Sequence, residues 1–148
     1  MATAESTGTA TWQGDLLSGA GTVGTESGIV REQPVTWARR VERSGDTTSP
    51  EELLAASHAA CYAMALSNAL AKAGSPAERL DVSATASFEQ VGEGFAVTRM
   101  VLSVRGTVPG LDESGFAELA RQGEQGCPIS NALRGNVEIT VEPTLAGA

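Results

Sequence analysis

The sequence predicts a single α+β domain over residues 1–148, with strands arranged before and after one long helix. Three observations carry this. A capped run rich in alanine and leucine covers residues 49–74. Two segments with a strict period of two follow it, at residues 80–91 and 95–108. Short, turn-bounded segments containing Thr, Val and Trp precede it. The expected order is βββαββααβ.

Residues 1–7 are small and polar and read as a flexible end. Residues 9–17 alternate around Trp12 as a first strand, and residues 21–25 return as a second after a glycine-rich turn. Glu26-Ser27-Gly28 makes the next turn. Pro34 introduces residues 35–42, VTWARRVE, whose Val, Thr and Trp favour a third strand. Alternation places Val35, Trp37, Arg39 and Val41 on one face and Thr36, Ala38 and Arg40 on the other. Residues 44–48 form a polar loop. The helix over residues 49–74 is the best-specified element. Ser49 suits the N-cap, Pro50 the first helical position, and Glu52 completes a capping box. Gly74 and Pro76 stop it. Its middle carries no charge between Glu52 and Lys72, so burial on most sides is expected.

Beyond it, Val82, Ala84, Ala86 and Phe88 share one face of a strand, and Gly92-Glu93-Gly94 turns the chain. Val97, Arg99, Val101, Ser103 and Arg105 share one face of the returning strand. Asp112 caps a second helix over residues 113–125, with Phe116, Leu119 and Ala120 turned inward. Gly126 breaks it, Pro128 opens a short helix over residues 129–133, and residues 137–145 close as a strand.

Composition narrows the function. Hydrophobic residues make up 41% and charged residues 19%, as in a packed globular chain. A net charge of −8 argues against non-specific nucleic-acid binding and against anionic membrane surfaces. No uninterrupted apolar run reaches the roughly 20 residues of a membrane span. The N-terminal MATAESTGTATWQG lacks the basic and apolar parts of a secretory leader, so the cytoplasm is the expected compartment. Two cysteines in that compartment read as redox chemistry before they read as a permanent staple.

Cys61 sits at the centre of the long helix, and Cys127 lies between Gly126 and Pro128, just ahead of the short one. Neither belongs to a CxxC motif, and one histidine is too few for an ordinary zinc site. A helix start favours a thiolate at Cys127. Cys61 needs a cation, because burial alone raises a thiol and leaves it as inert packing. Arg39 and Arg40 are the candidate cations, and Glu51 could orient one of them. Each also has an ordinary reading, as solvated strand charges and a first-turn carboxylate. His58, three residues before Cys61, reads as a packed or interface histidine.

The run TSPEELLAASHAACYAMALS resembles the signature of the osmotically inducible protein C and organic hydroperoxide resistance family (OsmC/Ohr). GCPIS resembles the site of the family's second cysteine, and ATWQGDLLSGAGTVGTESG resembles the opening of the OsmC branch. The resemblance spans about residues 9–145. It implies antiparallel sheets packed around the long helix and an intertwined homodimer. It also implies a thiol peroxidase with Cys61 peroxidatic, Cys127 resolving and Glu51 the acidic partner. WARRVE resembles the family's aromatic-x-x-Arg pattern, which puts Arg40 in the activating place. Reductant, by the same resemblance, is an external dihydrolipoyl-type dithiol protein, with no cofactor bound. The expected substrate is an organic hydroperoxide, with hydrogen peroxide weaker, since apolar walls such as Leu54, Met64, Ile129 and Leu133 reward an alkyl tail. A redox sensor or a stress-induced binding protein is the alternative. Glu51 and Cys61 lie about 15 Å apart along one helix at 1.5 Å per residue. Cys61 of one chain is therefore expected to meet Arg40 and Glu51 of another.

Overall fold

Small and β-branched residues make the first three strands: β1 (Gly8–Gln13), β2 (Ala20–Thr25) and β3 (Gln33–Val35). They form an antiparallel sheet in the order β1-β2-β3. Trp12 pairs with Gly21, where a Cβ would stand 2.0 Å from the Thr11 carbonyl oxygen and 3.0 Å from the indole. No larger residue fits there. The β1–β2 turn is tied by Asp15, whose carboxylate accepts the N–H groups of Leu17 and Ser18, each at 2.9 Å. The structure, a computed structural model, describes residues 1–43 and 46–147. Ser44 and Gly45 of the expected polar loop, and Ala148, lie outside the described residues. The chain divides into two compact units, Met1–Pro50 and Glu51–Ala148.

The third strand is shorter than expected. β3 ends at Val35, and Trp37–Glu42 is a helix, α1. Val35 pairs with Gly21, so an extended chain beyond it would run off the start of β2 within one residue. Thr36 takes over instead. It is extended, at φ −140 and ψ 158, and its Oγ1 accepts the Arg39 N–H at 3.2 Å as an N-cap. Arg43 closes the helix in the left-handed region, φ 51, donating its N–H to the Arg39 carbonyl. The strand preference of Val, Thr and Trp needs a neighbouring strand to act on, and among the described residues none pairs beyond Val35. The arginine pair is therefore helical, and the expected opposite facing of Arg39 and Arg40 does not hold.

In the second unit, α2 (Pro50–Lys72) is followed by β4 (Arg79–Val91), β5 (Gly94–Thr107), α3 (Glu113–Gln125), α4 (Pro128–Leu133) and β6 (Glu138–Leu145). The full order is βββααββααβ, the expected one with α1 added. β5 is the central strand, antiparallel to β4 and parallel to β6, so this sheet is mixed and not antiparallel throughout as expected, because the two helices between β5 and β6 bring the chain back in the same direction. Gly92, φ 61, opens the two-residue β4–β5 turn, a position that asks for glycine. Met100, Leu102 and Val104 of β5 are buried, so the Arg99, Val101, Ser103, Arg105 face is the outer one, while a register shift that pairs Ser87 with Arg99 and Phe88 with Val97 takes Val97 off the face expected for it. The core gathers Tyr62, Leu66 and Leu70 of α2, Leu102, Val104 and Val108, Phe116 and Ala120 of α3, and Cys127.

α2 is not buried on most sides. Its buried stripe is Glu51, Ala55, His58, Tyr62, Leu66 and Leu70, while Ala56, Ala60 and Met64 are exposed, Met64 by 68%. By length and composition α2 could cross a membrane, with a mean hydropathy of 1.3, contrary to the sequence-based expectation. A core helix has the same composition, and Tyr62, Leu66 and Leu70 are packed as one. Asp112 caps α3 through the Gly115 N–H at 2.7 Å.

α3 approaches α2 closely at Gly123, where a Cβ would lie 2.9 Å from Leu66 Cα. That atom is backbone and cannot swing away. Gly123→Ala is expected to destabilise by about 1–3 kcal/mol, read as a thermal midpoint lower by roughly 2–12 °C. Gly94→Ala, whose nearest new neighbour is 3.9 Å away, should stay within about 0.5 kcal/mol of wild type. Equal midpoints for the two variants would show that the close approach is not rigid.

Candidate active site

Two pairs of residues, each spaced three apart, face each other in the second unit. α2 supplies His58 and Cys61, and the start of α4 supplies Cys127 and Ser130. Residues three apart on a helix share a face, so each pair presents two groups side by side. Gly126 ends α3, Pro128 opens α4, and Cys127 between them is its N-cap. The Cys127 sulfur accepts the Ser130 N–H at 3.5 Å, as a capping oxygen would. Cys61 is half-buried and packs against the core cluster that contains Cys127, near enough to Cys127 and to the Ile129 N–H for both to bear on its titration. Both cysteines are free thiols, and Cys127 is fully buried.

Beside the sulfurs, His58 Nε2 and Ser130 Oγ are 2.7 Å apart, both residues fully buried. His58 Nδ1 is buried with no hydrogen-bond partner. Glu124 is buried and accepts from Arg134 Nη2 at 2.7 Å. Tyr62 donates its hydroxyl to the Ala120 carbonyl at 3.0 Å.

Burial pushes the Cys61 thiol up, the Ile129 N–H opposes this, and the hydrogen bond and charge of Cys127 push it up again. Within this chain Cys61 is therefore held as a thiol. Burial lowers His58, and the Glu124 charge partly offsets the effect. Burial, with Glu124 and Cys127 adding to it, drives Tyr62 far above the ordinary phenol range.

The other residues expected from the sequence lie in several places. Arg40 is on α1, half-buried, with its guanidinium carbon 5.8 Å from the centre of the Trp37 ring. It lines a cavity of about 370 Å³ with Trp12, Leu16, Val35, Trp37 and Pro50. Arg39 instead pairs with Asp46 at 3.3 Å on the surface. Glu51 is buried in the first turn of α2, and the unbroken helix keeps it about 15 Å along the axis from Cys61. Ile129 packs on the core beside Cys61, while Leu54 and Leu133 are half-buried. Met64 lines an open groove with Ala63, Ser67, Asn68 and Leu80. Ser130, Glu124 and Arg134 were not anticipated, although the matched spacings His58–Cys61 and Cys127–Ser130 are visible in the sequence. No group of three His, Cys, Asp or Glu side chains able to hold a metal ion occurs among the described residues.

Comparison with known proteins places this arrangement in a family. The model of the OsmC-like protein family matches residues 43–142. The chain belongs to the OsmC-like family. Peroxiredoxin OsmC of Escherichia coli K12 is 42% identical over 135 residues, 91% of this chain and 92% of that protein. The organic hydroperoxide resistance protein of Xanthomonas axonopodis pv. citri is 36% identical over 99 residues, 66% of this chain and 67% of its own. Among solved structures, OhrB of Bacillus subtilis superposes with a TM-score of 0.74 at 24% identity, covering 93% of this chain and 98% of its own. The Legionella pneumophila OsmC structure gives 0.72 at 25% identity, covering 97% and 99%. The OsmC-like α+β fold implied by the sequence motifs is the fold found.

The lowered His58 has a consequence for stability. The folded imidazole titrates below its ordinary value of 6.5, so the unfolded chain takes up the proton first. The contribution is complete above that value and is lost as the pH falls. Lowering the pH from about 7.5 to about 5.5 should reduce the urea midpoint more in the wild type than in His58→Leu. Equal losses would show that His58 does not control this dependence.

Proposed function

We propose that this OsmC-family chain is a cysteine-based peroxidase that reduces organic hydroperoxides, and hydrogen peroxide less well, in defence against oxidative and osmotic stress. One observation carries the reading: Cys61 and Cys127, from distant parts of the chain, are free thiols packed close together. The names of the 42% and 36% identical relatives support it.

The Cys61 thiolate attacks one peroxide oxygen, forming an S–O bond as the O–O bond breaks. The alkoxide leaves and is protonated to the alcohol. Cys127 sulfur then attacks Cys61 sulfur, the S–S bond forms, the S–O bond breaks, and the oxygen departs as water. This stops Cys61 at the sulfenic step, before irreversible oxidation. An external dihydrolipoyl-type dithiol protein returns the disulfide to thiols, in a cytoplasm that keeps thiols reduced. Leu54, Met64, Ile129 and Leu133 supply apolar surface for the alkyl tail.

The first step needs a thiolate, and burial opposes one. A guanidinium would reverse that and stabilise the leaving alkoxide. Arg40, braced by Glu51, fills this role from a second copy of the chain. The length of α2 between Glu51 and Cys61 and the exposed Ala56, Ala60 and Met64 face support a homodimer.

Reduced protein mixed with one equivalent of cumene hydroperoxide should lose two thiols per peroxide consumed. Cys61→Ser should abolish the loss, and Cys127→Ser should consume one peroxide and then stall or overoxidise. Persistence of peroxide with both thiols intact would overturn the reading. Cys61→Ser and Arg40→Ala, each inactive alone, should regain activity when unfolded and refolded together, because mixed dimers rebuild one complete site. No recovery in verified mixed dimers would place the whole site in one chain.

A further inference from the structure

His58 is the one histidine in the chain, it is fully buried, and the peroxidase steps above do not use it. Its ring meets Ser130, a residue of the short helix that Cys127 caps and whose own N–H meets the Cys127 sulfur. We infer that the His58–Ser130 hydrogen bond is a clamp that fixes α4 against α2 and so presents Cys127 to Cys61. His58 and Ser130 are thus positioning residues for the disulfide-forming step. This rests on the proposed reading that Cys61 and Cys127 cycle through a disulfide.

The reason lies in the length of α4. At six residues, Pro128–Leu133, it is too short to hold its own shape and place, so its position is set by what it touches. Side-chain bonds fasten it at two ends. Ser130 ties its first turn to α2, and Arg134, its C-cap, pairs with Glu124 at the end of α3. Ile129 also packs on the core, but an apolar contact tolerates a small slide that a 2.7 Å hydrogen bond does not. A disulfide has little tolerance: its Cα atoms must come within about 4.4–6.8 Å with the Cβ atoms facing. Advancing α4 by one residue would turn Cys127 by about 100° away from Cys61.

The matched spacing makes the clamp effective. His58 and Cys61 lie three apart on α2, and Cys127 and Ser130 lie three apart across the start of α4. The two contacts are rungs of one short ladder, and holding one holds the other. Loss of the His58–Ser130 rung would also loosen the Ser130 N–H that meets the Cys127 sulfur. The charged group that bears on His58 is Glu124, already paired with Arg134, and burial outweighs it. Burial keeps the ring neutral, which lets Nε2 and Oγ share one proton as a neutral hydrogen bond whichever group donates it.

The equilibrium between dithiol and disulfide reports how closely the reduced protein holds its sulfurs, and it needs no peroxide. Wild type, Ser130→Ala, His58→Leu, the double variant and His58→Gln are equilibrated with the reduced and oxidised dithiothreitol couple. Oxidised dithiothreitol takes the two electrons and two protons of the protein thiols. Ser130→Ala or His58→Leu should lower the equilibrium constant for disulfide formation about tenfold, a potential less negative by about 30 mV. The double variant should lose no more than either single one, since one bond is being removed. His58→Gln, whose amide nitrogen can take the place of Nε2, should stay within about threefold of wild type. After cumene hydroperoxide, the first two variants should also divert Cys61 from disulfide towards sulfinic acid.

Ser130→Ala with native circular dichroism and a wild-type equilibrium constant overturns the clamp. It decides alone if His58→Leu does not fold. Additive losses in the double variant also overturn it, since a packing role predicts them. A wild-type chain that forms no intramolecular disulfide sinks both the clamp and the proposed function. A disulfide that forms without peroxide consumption sinks the proposed function and leaves the clamp standing.

Discussion

The contact between the first turn of α4 and the middle of α2 is the constraint on which the rest of the second unit turns. Two thiols pack close together there, although the residues bearing them are separated by a sheet hairpin and a helix in the chain. The surrounding elements maintain that contact. Gly123 lets α3 lie against α2 at backbone distance, the N-capped Asp112 sets where α3 begins, and Gly126 with Pro128 ends one helix and starts the next within two residues. Any larger residue at Gly123 would press α3 away from Leu66.

Burial serves the pairing of the thiols and opposes the activation of Cys61. Cys127 is fully buried, and Cys61 lies in the apolar packing that surrounds it. The same surroundings favour the neutral thiol, and two sulfurs in contact discourage a second negative charge. In the proposed peroxidase cycle, an unassisted chain would hold Cys61 ready for resolution and poorly ready for attack. The proposed homodimer resolves this conflict by bringing a guanidinium that belongs to another copy. Arg40 is suited to such a role. Its charge is permanent, it lies beside Trp37, and it lines a largely apolar cavity.

The difference between Arg39 and Arg40 shows how local backbone geometry selects a side chain. Two adjacent arginines are chemically equivalent in sequence. The cap at Thr36 turns the segment into a helix, which sends Arg39 to Asp46 on the surface and Arg40 to the cavity beside Trp37. On a strand the two would simply have taken opposite faces of a sheet. The decision comes from where β2 begins, since Val35 already pairs with its second residue.

The long helix, the hairpin, the Asp112 cap, the break at Gly126 and the two thiols were legible in the sequence, because each depends on signals within a few residues. Caps, glycine turns and a period of two act locally, and the cysteine motifs carried the family resemblance. α1 was not legible, because its existence depends on the lack of a strand partner for residues 36–42. The exposed face of α2 was not legible either, since alanine suits a buried and an open face equally. His58 and Ser130 were visible only as residues three away from each cysteine. The sequence by itself determined which elements form and which thiols are available. Only the tertiary structure decided that a histidine and a serine, 72 positions apart, would meet, because hydrogen bonding across helices depends on packing that no local pattern encodes.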